Sequence, residues 1–189
     1  WREIRAYYYA LCTHVDDQVG RILSALEETG MLEDTLVIFT SDHGEHLGDH
    51  GQLAKGPPGY DSCTHVPLII SPPGQAGDTR QVDDIAEHVD IVPTILDYCG
   101  IQVPPEMQGR SLRPLIEGTA GDTRTSAYTE WRHPHRGAWK TVRTHRWRYC
   151  ASAAGQELLF DHESDPHELH DVSGDPNYED ALHDMRDEL

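Results

Sequence analysis

Thr35-Leu36-Val37-Ile38-Phe39-Thr40 is an unbroken β-branched and apolar run that stops abruptly at Ser41-Asp42-His43-Gly44-Glu45. Without polar alternation, such a run predicts a strand buried on both faces, as in sheets that helices cover from two sides. Just upstream, Ile4, Tyr8, Leu11, Val15, Val19, Ile22 and Leu26 recur at spacings of three and four. That spacing lays one apolar stripe along a helix ending near Thr29-Gly30. Asp16, Asp17 and Arg21 interrupt the stripe and fall on its solvated side. Adjacent aspartates suggest a metal, but a plain charged helix face is the simpler reading. A helix followed by a fully buried strand points to an α/β sheet, where ligands sit beyond the carboxyl ends of strands. Asp42 and His43 stand at that place.

Residues 44–61 are rich in Gly, His and Pro and hold no sustained period, so they form a long loop of the kind that is functional or disordered. A second buried strand is expected at Val66-Pro67-Leu68-Ile69-Ile70, closed by Ser71-Pro72-Pro73-Gly74. Ile85, Val89, Val92, Ile95 and Leu96 then share helical register over residues 84–98, with Asp90 as an N-cap candidate, Pro93 in the first turn and Gly100 as the stop. Residues 101–125 are turn-rich around a short Leu112-Leu115-Ile116 patch. Beyond them the composition changes: 126–131, 139–144, 147–151 and 157–160 read as four short antiparallel strands, and Tyr178, Leu182, Met185 and Leu189 as a closing helix. The expected organisation is a mixed α/β sheet flanked by helices over residues 1–125, followed by a small four-stranded antiparallel sheet with one helix over 126–189.

Charge excludes some partners. Fifteen Lys and Arg against 33 Asp and Glu leave −18, and protonating all 13 histidines would still leave −5. Such a surface repels phosphate backbones, so neither nucleic acid nor an anionic membrane is an expected partner. Arg132, Arg136, Lys140, Arg143, Arg146 and Arg148 do cluster among Trp131, Trp139 and Trp147. Strand alternation is expected to send these charges to a solvated sheet face, with the rim of an anionic-substrate site as a further reading. No apolar stretch approaches the ~20 residues of a membrane span, so a soluble chain is expected, in either the cytoplasm or an exported compartment. Cys12, Cys63, Cys99 and Cys150 form no CxxC pair and read as buried or incidental thiols. The chain opens at Trp1 in mid-pattern without an initiator Met, so further sequence upstream is expected.

Asp42 and His43 offer a hard oxygen and an imidazole that could each ligate a divalent cation, with Gly44 letting the backbone turn away. Two ligands do not make a site, and a turn aspartate beside a surface histidine is the other reading. Lys55 lies twelve residues after His43, in a loop with Glu45, His46, Asp49 and His50 that could return it to the same strand end. There an ammonium could neutralise an anionic oxygen of a sulfuryl or phosphoryl group; a solvated surface lysine is the alternative.

Together, Phe39-Thr40-Ser41-Asp42-His43-Gly44-Glu45, Leu47-Gly48-Asp49-His50-Gly51, Lys55 and Thr64-His65-Val66-Pro67-Leu68-Ile69 resemble the C-terminal half of a type I sulfatase of the alkaline phosphatase superfamily. The helix over 8–26, Asp90-Ile91-Val92-Pro93-Thr94-Ile95-Leu96, Gln108-Gly109-Arg110-Ser111-Leu112, Trp147-Arg148-Tyr149 and the stretch from Glu157-Leu158-Leu159-Phe160-Asp161 to Ser164-Asp165-Pro166-His167-Glu168 are similar in order to family segments. The resemblance implies an alkaline-phosphatase-like fold and hydrolysis of a sulfate ester of an aryl, choline or carbohydrate alcohol at a formylglycine. It implies Asp42 and His43 as metal ligands, Ca²⁺ first and Mn²⁺ as the alternative because imidazole suits softer cations. It implies Lys55 as the group that binds a sulfate oxygen and assists the leaving group. The His43 form is closest to the iduronate-sulfatase-like and choline-sulfatase-like branches and to related phosphonate monoester hydrolases.

The family's Cys-or-Ser-x-Pro-x-Arg nucleophile motif does not occur in these residues, and its first aspartate pair is not Asp16-Asp17, which sits in a helix. The chain is thus expected to hold half of the metal ligands and no nucleophile, to be inactive and poorly folded alone, and to expose a sheet edge. Two rivals follow: a phosphonate or phosphate diester hydrolase of the same superfamily, and a non-catalytic binding module.

Overall fold

The computed structural model describes residues 1–75, 79–119, 121, 123–133 and 137–189. Helix α1 (Arg2–Glu28) ends where its sequence predicts, with Thr29 as C-cap and Gly30 at φ 68°. Asp16 and Asp17 are exposed on it. The apolar stripe is exposed too: no α1 residue is buried, and Leu11 and Ile22 keep 64% and 62% of their surface. Only Val19 and Leu26 of the stripe are half-buried, so periodicity here reports that a face is apolar and not that it is covered.

Strand β1 (Val37–Thr40) pairs antiparallel with β2 (Leu68–Ser71), Phe39 opposite Ile69 and Ile38 opposite Ile70. The expectation of strands buried on both faces is corrected here: Ile38 and Ile70 are half-buried, whereas Phe39 and Ile69 face outward and are exposed. The two are adjacent across the pair because the pleat puts directly opposed residues on one face.

The helix expected over 84–98 is shorter, α3 (Ile91–Tyr98), preceded by a 3₁₀ turn at His88–Asp90. Asp90 stands at the N-cap, but its carboxylate does not cap α3. Its Oδ2 accepts from the Glu87 N–H at 2.9 Å, and its Oδ1 accepts from the Arg110 N–H at 2.9 Å and from Arg124 Nη2 at 2.7 Å. A buried carboxylate is stable only when its lone pairs are so used. Leu112 and Leu115 are buried at and within α4 (Arg113–Ile116). The short α2 (Asp61–Thr64) precedes β2.

The C-terminal part is a meander of β3 (Ser126–His133), β4 (Gly137–Thr144), β5 (Trp147–Ser152) and β6 (Glu157–Asp161), followed by α5 (Glu179–Glu188). Its pleat separates two faces. Val142, Tyr149 and Leu159 pack on Leu182 and Met185 of α5 and form the main core. The opposite face, with Thr141, Arg148, Cys150 and Phe160, turns toward the loop before β2. All four cysteines are free thiols; Cys63 and Cys150 are buried and Cys12 and Cys99 exposed. Burial pushes the Cys150 thiol up to about 11, which keeps it inert. Among the described residues, no helix is long and apolar enough to cross a membrane.

Candidate functional site

The chain leaves β1 and turns at Ser41-Asp42-His43-Gly44, where Ser41 Oγ donates to the His43 carbonyl at 2.8 Å. Gly44 is needed here for closeness, not for an unusual φ. Its N–H donates to the Cys63 carbonyl at 2.8 Å, and a Cβ at this position would lie 2.1 Å from the Ser62 carbonyl oxygen. The strand end is thereby pressed against α2.

Lys55 returns to this point through Glu45. The Glu45 carboxylate accepts from the Leu47 N–H at 3.1 Å and from the Ala54 N–H, which closes the intervening loop on itself. Lys55 Nζ consequently lies 2.5 Å from His43 Nε2, and Asp42 Oδ2 lies 3.4 Å from the same nitrogen. Asp42, His43 and Lys55, read from the sequence as candidates, are brought together. All three line a cavity of about 280 Å³. The far wall of that cavity belongs to the C-terminal sheet.

The protonation pattern follows from the partners. His43 Nδ1 is 2.8 Å from the Gly44 carbonyl, which can only accept, so Nδ1 carries the proton and Nε2 presents a lone pair. Lys55 donates to that lone pair. The His43 backbone N–H on Asp42, together with the nearby His43 and Lys55 side chains, holds the Asp42 carboxyl below the usual carboxylate range. Oδ1 is used by that N–H and Oδ2 remains open. An imidazole fixed through Nδ1 and a carboxylate oxygen 3.4 Å from its Nε2 suit two ligands of one divalent cation. The Lys55 ammonium occupies that lone pair here, so a cation on Nε2 takes the place of this hydrogen bond.

Neighbouring histidines serve structure. His46 is buried between Ser62 Oγ at 2.8 Å and Cys63 Sγ at 3.3 Å, and burial, with His50 nearby, pushes its pKa down. His50 stacks on Tyr60 at 3.6 Å, and Tyr60 packs edge-on against Phe160.

Sequence reasoning missed the groups that hold this loop. Arg148 is 1% exposed; it donates to the Gly59 carbonyl and pairs with Asp61 and Glu168. Glu168 accepts from the Asp61 N–H at 2.9 Å and lies 3.0 Å from His162 Nε2. Thr141 Oγ1 donates to the Pro58 carbonyl at 2.6 Å. Burial works to raise Glu168, but the His162 hydrogen bond and the Arg148 charge outweigh it and its pKa is lowered. The expectation that the 132–148 cations line a solvated face is therefore corrected for Arg143 and Arg148, which turn inward onto Asp61. Lys140 does stay exposed, 3.6 Å from Glu130, and Arg136 lies outside the described residues.

Asp61, His162 and Glu168 also place potential ligand atoms within 4.8 Å of one another. In this structure the cation among them is the Arg148 guanidinium, so the trio acts as an ion-pair cluster that ties residues 58–61 to β5.

The Sulfatase family profile matches residues 2–101, and the chain belongs to that family. It is 37% identical to arylsulfatase K of Xenopus laevis, over 92% of this chain and 34% of that protein. It is 38% identical to a multifunctional alkaline phosphatase superfamily protein, PehA, of Trinickia caryophylli, over 94% of this chain and 38% of that protein. The solved phosphonate monoester hydrolase of Agrobacterium radiobacter superposes with TM-score 0.88 at 36% identity, over 98% of this chain and 40% of that one. The chain thus has the alkaline-phosphatase-like α/β fold and spans little more than a third of these relatives' length. Membership in the family implies a divalent metal.

Proposed function

We propose that this chain is the metal-binding and leaving-group side of a sulfuric ester hydrolase. The observation that carries the reading is the convergence of Asp42, His43 and Lys55 on one cavity, with the second Asp42 oxygen open and the His43 lone pair held by Lys55. Asp42 Oδ2 and His43 Nε2 would hold Ca²⁺, or Mn²⁺ as the softer alternative. When bound, the metal would withdraw charge from the ester's non-bridging oxygens. Lys55 leaves the imidazole for a sulfate oxygen, donates hydrogen bonds to it and stabilises charge that builds toward the leaving alcohol. The nucleophile, expected as a formylglycine, would lie in sequence outside this chain. Residues 1–125 would supply the α/β part of the site and 126–189 its second wall. A sulfate ester is the proposed substrate, with neither nucleic acid nor a membrane as partner.

In the full-length protein, Asp42→Ala and Lys55→Ala are expected to lower kcat/KM on 4-nitrophenyl sulfate by about 100-fold or more, with Asp16→Ala within about twofold of the parent. Comparable activity in all three variants would remove the assignment. Titration calorimetry with Ca²⁺ and Mn²⁺ should show binding that the Asp42→Ala/His43→Ala double variant loses. The likeness to a phosphonate monoester hydrolase favours one second reading, phosphonate ester hydrolysis. A higher kcat/KM on an aryl phosphonate than on the aryl sulfate would establish it.

A further inference from the structure

The cavity that opens beside Asp42, His43 and Lys55 is closed on its far side by Thr129 and Trp131 of β3 and Trp139 and Thr141 of β4, with His88 at the edge. Trp131 is directly opposite Trp139 and Thr129 directly opposite Thr141, so all four share one face of the hairpin. That face is the one away from α5. Farther along the sheet it is filled by Arg148 and Phe160 against the 58–61 loop, whereas at the tryptophans it borders the cavity. Both indoles are only half-buried. The Trp131 indole N–H, although shielded, has no acceptor among the described residues.

Resting on the sulfatase reading above, we propose that the Trp131–Trp139 pair is the platform for the ring of the leaving alcohol, so that the preferred esters carry their sulfate on an aryl or pyranose ring. At about 280 Å³ the cavity lies just below the usual range for small-molecule sites, which suits a single ring. Cross-strand pairing along the hairpin places the two tryptophans opposite each other on one face before any ligand arrives, which lowers the entropic cost of assembling the platform. Among the described residues the tryptophan end of the lining carries no carboxylate, and two indoles on one sheet face form a platform and not the enclosing cage that a quaternary ammonium selects. The orphaned indole N–H offers a donor to a ring substituent or hydroxyl. Ring esters thus gain stacking area at this wall that a short-chain ester lacks and that a choline ester replaces only with a weaker cation–π contact.

The test uses the full-length protein with 4-nitrophenyl sulfate, glucosamine 6-sulfate and choline sulfate. Trp131→Ala and Trp139→Ala should each lower kcat/KM on the preferred ring ester roughly 10- to 100-fold, mainly through KM, and leave choline sulfate within about threefold. Trp131→Phe and Trp139→Phe should recover most of the loss, and the Leu variants should not. Which ring ester suffers more tells an aryl from a pyranose leaving group. Equal losses on ring and choline esters in variants with parental melting temperature would overturn the platform, as would Leu variants that match Phe. Where an Ala variant fails to fold, the Phe and Leu pair decides. Absence of sulfate release from all three esters by the folded parent would instead overturn the sulfatase reading on which the platform rests.

Discussion

Replacing Arg148 by Met keeps the side chain's length and removes its charge from a place that water does not reach. The guanidinium serves the Gly59 carbonyl, Asp61 and Glu168 at once, so the substitution strands a backbone acceptor and two carboxylates, of which Glu168 is 3% exposed. Breaking a buried pair from one side costs about 3–5 kcal/mol. For a folding unit of this length that corresponds to a fall in Tm of roughly 6–20 °C. The pH dependence is specific. In the parent, Glu168 has a lowered folded-state pKa, so its contribution is complete above the unfolded carboxylate value and is lost as pH falls through the folded one. Without Arg148, burial moves Glu168 toward protonation, which relieves the variant at low pH. The gap between parent and variant should therefore be widest near pH 7 and narrow as pH falls below about 5. Paired thermal melts by circular dichroism at pH 7 and pH 4 read this directly. A gap below about 1 kcal/mol at pH 7, or one that does not change with pH, would refute Arg148 as the hub of the cluster.

Two further perturbations probe the site's support. Gly44→Ala drives a methyl into the Ser62 carbonyl and should cost about 1–3 kcal/mol while weakening Mn²⁺ binding, because Asp42 and His43 move with the backbone; unchanged calorimetry and melting would show that the strand end and α2 are not in fixed contact. On the α5 side, Arg186 grips both Glu157 oxygens, at 2.7 and 2.6 Å, and this, with the Tyr149 hydroxyl, lowers Glu157 to about 2. Arg186→Ala should raise the midpoint of acid unfolding, by less than about one pH unit since the pair is partly solvated, with parent and variant converging below about pH 2; coincident acid titrations would contradict this.

Local pattern made much of this fold legible. Helix α1 ends at Thr29-Gly30 as its spacing requires, the four C-terminal strands fall where alternation and turns place them, and Asp42-His43 follows β1 directly. From the sequence, Lys55 beside His43 is one of two readings; what returns it there is the Glu45 tie across nine residues to Ala54. The loop clamp was illegible for a different reason. Alternation assigns Arg148 to one face of β5, but both faces of that sheet are covered, one by α5 and the other by a loop some ninety residues earlier in the chain, and no local period records such a partner.

Within this chain, the stripe on α1 also divides cooperativity. A 27-residue helix with no buried residue has few contacts through which its unfolding can be coupled to anything else. Its helicity must come mostly from its own hydrogen bonds and length, which is well past the 12–15 residues at which isolated helices become marginal. Val142, Cys150 and Leu159, by contrast, are wholly inaccessible, so amides around them open only when the whole sheet does. In this chain the middle of α1 would trade its amide hydrogens with solvent through local fraying while β4 and β5 remain closed, two exchange clocks in one polypeptide.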